Sequence, residues 1–212
     1  MNPTFDQFIE TIRWSHGRYH LTALHARRML HTSGLMHDLA QGGLDRLLPP
    51  VPDAMRDETV KCRIIYDTEI RSIELEPYKP KSITTLQMVE DDTIDYRLKY
   101  ADRSRLAFLM SKRGEADEII IVKNGLITDS SYSNLVFQAG SRLLTPAHPL
   151  LRGVMMTHLL SSGDISPANL APEDILPGNR YGITHVKIIN AMLPLGAMPP
   201  VDIARIYPPV RQ

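Results

Sequence analysis

Short apolar runs cut by turn residues set the limits on what this chain can fold into. The run EIIIV (118–122) meets the turn pair Asn124-Gly125 and resumes for two apolar residues. It is then broken by Asp129, Ser130, Ser131, Ser133 and Asn134 before LVFQ (135–138). Apolar runs bounded by Asn and Gly predict strands joined by a hairpin. The same punctuation recurs along the chain. FDQFIETIRW is apolar at Phe8, Ile12 and Trp14 around polar Glu10, and Ser15-His16-Gly17 turns it toward RYHL, which predicts a first hairpin. TVKCRIIYD and IRSIELEPY, joined at Thr68-Glu69, predict a second. SITTLQMVE and RLLTP (142–146) read as further strands.

Helical spacing is confined to three stretches. Leu24, Arg28, Met29 and Leu30 follow a capping Thr22 and predict a helix to Gly34 or slightly beyond. Residues 102–113 put Leu106, Leu109 and Met110 on one helical face, and GVMMTHLLSSG forms a helix closed by Gly163. A polar, proline-punctuated stretch, 41–52, has a short helix on either side. Pro77 and Pro80 mark a linker. The expected class is therefore α/β (α+β) in two domains, a small N-terminal one at 1–79 and a larger one at 80–212.

Charge narrows the partners. Lys+Arg and Asp+Glu balance at 24 each, so no overall field draws in nucleic acid or an acidic membrane, although a small anion can still meet a local basic cluster. The 1 cysteine, Cys62, excludes an internal disulfide. No stretch resembles a signal peptide or an apolar span of about 20 residues, and the expected compartment is the cytosol. His16, His20, His25 and His31 cluster in sequence without zinc spacing or a cysteine pair, so no metal is expected.

Several residues carry a chemical alternative to a plain structural one. Lys99, in DYRLKYADRS, is either a solvated lysine or a Schiff-base amine made reactive by burial and by its cationic neighbours Arg97 and Arg103. Arg28 either covers apolar surface with its stem or grips a phosphate with its guanidinium fork. Gly153, opening a helix with Val154 and Met155, is either a turn glycine or the point where backbone amides meet an anion. Alternation in KCRIIYD puts Lys61, Arg63 and Ile65 on one face and Cys62, Ile64 and Tyr66 on the other. Arg63 or Lys61 can meet a substrate carboxylate, and Tyr66 can touch a cofactor, or both can be ordinary strand residues.

Taken in order, FIETIRW, GRYHLTALHARRM, LKYADRS, NGLITDSSYSNLVF, LLRGVMM and IINAMLPL resemble the class IV aminotransferase family, the fold-type-IV pyridoxal-phosphate enzymes. That family includes branched-chain and D-amino-acid aminotransferases and 4-amino-4-deoxychorismate lyase. The resemblance covers nearly the whole chain. It implies two α/β domains with pyridoxal 5'-phosphate between them, the second carrying the cofactor lysine, in a homodimer acting on a small amino substrate. It implies that Lys99 holds the cofactor covalently and shuttles a proton, and that Arg28 binds the phosphate with the amides of Val154 and Met155. It further implies that Asp129 faces the pyridine nitrogen, oriented by Ser133 and Asn134.

Three departures from the family pattern stand out. Asp129 replaces the usual glutamate and is one methylene shorter. Met155 stands where many members have a hydroxyl. The 61–78 hairpin is too short to supply the substrate-trapping arginine and histidine of the D-amino-acid branch. Thr11 matches a catalytic threonine of the lyase, and Asn190 a substrate-side asparagine of that enzyme's similar closing motif; Thr11 is equally a strand residue favoured by β-branching. The leading expectation is a lyase that turns 4-amino-4-deoxychorismate into 4-aminobenzoate and pyruvate. An aminotransferase is the alternative, and a family member that has lost catalysis and serves as a scaffold is the third.

Overall fold

Alternation along the first strand fixes how the first half of the chain packs. In the computed structural model, which describes residues 6–33, 39 and 43–209, β1 (Phe8–Ser15) turns through His16 and Gly17 into β2 (Arg18–Tyr19). Both turn residues have positive φ, 53° and 77°, as a tight two-residue hairpin requires. Helix α1 (Thr22–Ser33) follows, and β3 (Val60–Tyr66) and β4 (Ile70–Pro77) complete an antiparallel sheet in the order β2-β1-β3-β4. Phe8, Ile12, Cys62, Ile64 and Tyr66 share one face of that sheet and bury against Met29, Leu44 and Leu48. The predicted end of this helix at Gly34, and the short helix before residue 41, lie outside the described residues. Short 3-10 turns stand at Leu44–Arg46 and Asp53–Met55.

Two compact units result, and the boundary falls at Lys79 and Pro80. One segment departs from the expected division. Leu98–Asp102 belongs with the first unit, so Lys99 packs there and not in the domain that begins at Pro80. Its backbone explains why: Ile9 N–H donates to the Lys99 carbonyl (2.9 Å), Ala101 N–H donates to the Gln7 carbonyl (2.8 Å), and Phe8 and Tyr100 form a bridge. These bonds take up backbone groups of β1 beyond its short pairing with β2.

The second unit holds two sheets. β5 (Leu86–Glu90) and β6 (Glu118–Lys123) run parallel, which demands a crossover, and α2 (Ser104–Ser111) lies in that connection. Their near-continuous burial suits strands covered on both faces, with Val89, Ile119 and Ile121 packed on Leu106 and Leu109 of α2. Asn124 and Gly125, with φ of 51° and 74°, turn β6 into β7 (Leu126–Ile127), as the sequence predicts. β8 (Asn134–Ala139), β9 (Arg142–Pro146), β10 (Ser166–Ala168), β11 (Ile183–Ile189) and β12 (Val201–Asp202) form the other sheet, in the order β10-β9-β8-β11-β12. Helix α3 (Val154–Ser162) ends at Gly163, whose left-handed φ of 79° closes it. β13 (Ile206–Tyr207) joins the edge of β5.

Helix α2 is shorter than the 102–113 expected, because Arg103 has non-helical backbone angles and sends its guanidinium to the Ser131 carbonyl (2.7 Å). Residues 82–85 lie outside strand β5. There the amides and hydroxyls of Thr84 and Thr85 all bond the Asp117 carboxylate instead of a neighbouring strand.

Candidate functional site

Glu10 stands on the apolar face of β1, between Phe8 and Ile12, and is fully buried. A carboxylate there needs partners. Helix α1 crosses this face and presents His25 and Arg28, three residues apart and therefore neighbours on the helix surface. Arg28 donates from Nε to Oε1 (2.6 Å) and from Nη2 to Oε2 (2.5 Å), and His25 Nδ1 meets Oε2 at 2.6 Å. Burial pushes the Glu10 carboxyl up, but the charges and hydrogen bonds of Arg28 and His25 outweigh it and hold the pKa down at about 2. For His25 burial wins. It lowers the imidazole's pKa, opposed by Glu10 and aided by the positive charges of Arg28 and Lys99. Burial therefore favours the neutral imidazole, in which Nδ1 is taken up by Glu10 and Nε2 remains.

That Nε2 is buried and has no hydrogen-bond partner, and the same holds for the Thr32 and Tyr66 hydroxyls. Thr32 and Tyr66 lie near one another without reaching hydrogen-bonding geometry. Tyr66 is fully buried, its ring 5.7 Å from that of Phe8, so it is a core residue with an unsatisfied hydroxyl. Among the predicted residues, the first unit thus brings together Arg28, Tyr66 and Lys99, whose charge bears on His25.

Thr11 and Arg63 are registered opposite one another on β1 and β3 and share the other face of the sheet. Arg13 and Lys61 are the next same-face pair along it. Lys61 is neutralised by Glu76 on β4, whereas Arg63 is exposed. Arg13 bonds Ser15 (3.2 Å) and keeps a buried Nε without a partner. The structure therefore separates Thr11 and Arg63 from the Glu10 cluster by the thickness of the sheet.

In the second unit, the crowd of short polar residues at 128–134 is buried, and each has an assignment. Ser130 Oγ accepts the Ser133 amide (3.0 Å), and Ser131 donates both its amide (3.1 Å) and its hydroxyl (3.0 Å) to Glu118. Asp129 accepts from Asn134 Nδ2 on Oδ1 (2.7 Å) and from the Leu151 amide on Oδ2 (2.9 Å). Asn134 also donates to the Leu151 carbonyl (2.8 Å) and accepts from the Gly153 amide (3.2 Å). The loop is thus fastened to the start of α3. A Cβ on Gly153 would fall on the Asn134 carboxamide oxygen, well inside contact distance, although its φ of −65° suits any residue.

Gly153 is the N-cap of α3 and provides no side-chain cap, so the first-turn amides of Val154 and Met155, both buried, point out of the helix start without one. Asn190 donates to Ser133 Oγ (2.8 Å) and accepts the amides of Met192 (2.8 Å) and Leu193 (3.0 Å), which makes it the keystone of a turn beside the same loop. Sequence reasoning missed Glu10, Glu118 and Gly153's packing role. Glu10 alone left a signal: it is an acid set in an otherwise apolar alternation.

Among the described residues no group of three or more His, Cys, Asp or Glu can hold a metal ion, and no helix is long and apolar enough to cross a membrane.

Comparison with known proteins adds relatives. The family model described as amino-transferase class IV matches residues 7–192. An uncharacterized protein of Haemophilus influenzae is 40% identical over 142 residues, 67% of this chain and 73% of its own length. A crystal structure from Haemophilus somnus, named provisionally as a 4-amino-4-deoxychorismate lyase, superposes with a TM-score of 0.72 at 29% identity, covering 88% of this chain and 96% of that one. A hypothetical aminotransferase of Mycobacterium tuberculosis, in its PLP-bound form, shares the fold with a TM-score of 0.68 at 16% identity, covering 100% of this chain and 85% of that one.

Proposed function

Because this chain belongs to the class IV aminotransferase family, we propose that it is a pyridoxal-5'-phosphate enzyme, and that its reaction is cleavage of 4-amino-4-deoxychorismate to 4-aminobenzoate and pyruvate. The observation that carries the cofactor reading lies within the first unit: Arg28, fixed edge-on by a buried carboxylate, and Lys99, whose charge bears on the same cluster. The first unit, taken by itself, offers a phosphorylated aromatic aldehyde an amine at Lys99 and a guanidinium at Arg28; the second, taken by itself, has at the start of α3 two buried residues, Val154 and Met155, whose amides no side chain caps. Asp129 offers a buried carboxylate for a ring N–H, and the unpartnered His25 Nε2, Thr32 and Tyr66 atoms are the kind of buried polar groups that a ligand satisfies.

When bound, pyridoxal phosphate supplies an electron sink for the carbanion left after a substrate carbon loses its proton. This chain's residues do the rest. Lys99 takes and returns that proton as a free amine, and Asn134 holds the Asp129 carboxylate in one orientation through its 2.7 Å bond. Arg28, held by the Glu10 carboxylate, is the guanidinium that would meet the phosphate. Thr11 and Arg63 are the substrate-side candidates of the first unit, and Asn190 that of the second.

The test is product analysis. Purified protein loaded with cofactor and given 4-amino-4-deoxychorismate releases pyruvate and 4-aminobenzoate in equal amounts, and Lys99→Ala releases neither; no product above that control ends the lyase reading. The location of Thr11 favours a second reading, an aminotransferase, which has no need of that hydroxyl: Thr11 lies on the sheet face away from Glu10, His25 and Arg28. An aminotransferase converts the bound cofactor to its amine form with an amino donor and restores it with an oxo acid, both followed by visible absorption. Borohydride-sensitive visible absorption that Lys99→Ala lacks also separates either enzyme from a cofactor-free scaffold.

A further inference from the structure

Arg28 and Arg97 show how guanidinium groups of this chain meet carboxylates. Each uses the edge formed by Nε and Nη2: Arg28 lays it on both oxygens of Glu10, and Arg97 lays it on both oxygens of Asp95 at 3.0 and 2.8 Å. Two parallel N–H donors in one plane match the two oxygens of one carboxylate. Arg13 on β1 holds the same edge without an acceptor. Its Nε is buried and has no hydrogen-bond partner, and among the described residues nothing accepts from its Nη2. Only the far nitrogen is engaged, Nη1 donating to Ser15 Oγ at 3.2 Å, and Ser15 Oγ is itself braced by His20 Nε2 at 2.9 Å. The edge is therefore pinned from behind.

The acids on this side of the sheet are committed elsewhere. Glu74 and Glu76 share the face of Arg13 but stand on β4, registered against Arg63 and Lys61 of the intervening β3, and Glu76 pairs with Lys61. The charge that bears on Arg13 is another cation, Arg18, which is registered opposite Ser15 on β2. Burying a donor without an acceptor is unfavourable, and setting a like charge beside it adds to the cost. An anion at the Arg13 edge relieves both.

We propose that the Nε and Nη2 edge of Arg13 binds a carboxylate of the substrate, on the sheet face that also carries Thr11 and Arg63. This rests on the reading of that face as the substrate side given above. Both products of the proposed cleavage, pyruvate and 4-aminobenzoate, are carboxylates, so the molecule that yields them carries two such groups. Thr11 and Arg13 are two residues apart on one strand, about 7 Å along the same face. One six-membered ring with its carboxylate covers that span. Arg13 as a whole is half-buried, so its side chain reaches solvent although Nε does not. A charge-assisted pair in such a place is stronger than one in open water.

Paired probes read the carboxylate directly. The full chain loaded with pyridoxal 5'-phosphate is titrated by calorimetry with benzoate and with benzamide, which share a ring, differ in charge and carry no amine that condenses with the cofactor. The wild type prefers benzoate by roughly tenfold or more, as a charge-assisted bidentate contact implies. Arg13→Met loses that preference and keeps its affinity for benzamide. A preference retained in Arg13→Met, or none in the wild type, overturns the proposal. Should Arg13→Met fail to fold, the Arg13 Nε–H resonance of nitrogen-15-labelled wild type decides: it moves with benzoate and not with benzamide, and a resonance that stays put with both overturns the proposal. Inhibition then identifies whose carboxylate it is. With 4-amino-4-deoxychorismate as substrate, benzoate raises KM and leaves kcat unchanged in the wild type and does neither in Arg13→Met. Benzoate that binds at Arg13 without moving KM shows that the carboxylate is another small molecule's and overturns the assignment to substrate. If the wild type releases no product at all, the lyase reading falls, and the titrations still decide whether Arg13 holds a carboxylate.

Discussion

At Glu10, burial works to raise the carboxyl pKa, yet Arg28 and His25 hold it at about 2 against an ordinary value of 4.5. A group whose pKa is depressed on folding stabilises the fold fully above its unfolded value and loses that contribution as pH falls. The difference corresponds to about 3 kcal/mol, lost progressively below pH 4.5. His25 works in the same direction from higher pH, since its folded pKa is lowered from 6.5 and the unfolded chain protonates first. Denaturant midpoints therefore decline as pH drops below 6.5 and decline more steeply below 4.5. Glu10→Gln removes the steeper part of that slope and costs about 3–5 kcal/mol at pH 7, because it removes a buried carboxylate that Arg28 bonds twice. An unchanged acid slope in the variant would contradict this account. The site was only partly legible here. Lys99 and Arg28 are picked out by the family resemblance, but Glu10 matters through what α1 sets above it, and a strand's alternation does not say which helix will cover it.

Among the elements, the loop between β7 and β8 and the start of α3 behave as one piece. Asn134 links Asp129 to both Leu151 and Gly153, and Gly153 leaves room for that carboxamide. Gly153→Ala expels the carboxamide from buried bonds and costs about 2–4 kcal/mol. Asn134→Ala costs a similar amount alone. In the double variant the second substitution adds little, since the clash has lost its partner, and a double-mutant cycle measures the coupling. Strict additivity would show that the glycine is not there for Asn134. The turn at Asn124-Gly125 and the Gly163 helix end are plain in the sequence because each depends on local backbone angles. β11 is hidden for the opposite reason: a bulge between Ile183 and His185 shifts its register and spoils the alternation that marks a strand. β12 and β13 are two residues long, too short to carry a period.

On the scale of the molecule, the two compact units divide at Lys79 and Pro80, and Leu98–Asp102, with Lys99, belongs to the first. No property of LKYADR reveals that it will extend β1, because the evidence for that pairing lies in the unpaired backbone of residues far upstream. A fragment ending at Lys79 lacks this pairing and exposes the backbone edge of β1 near Ile9, and such edges associate. Residues 1–79 expressed alone are thus expected to aggregate, and a peptide spanning 96–104 added in trans is expected to keep them monodisperse by light scattering; a soluble, monomeric fragment without the peptide would refute this. The tie between Ile9 and Lys99 also has a history in time. A ribosome makes about 5–20 residues per second, so a nascent first unit waits roughly one to four seconds for the residue that closes its edge. Lys99 is the last piece fitted to a sheet whose other strands are already made, and until it arrives the half-built chain offers the cell an open edge.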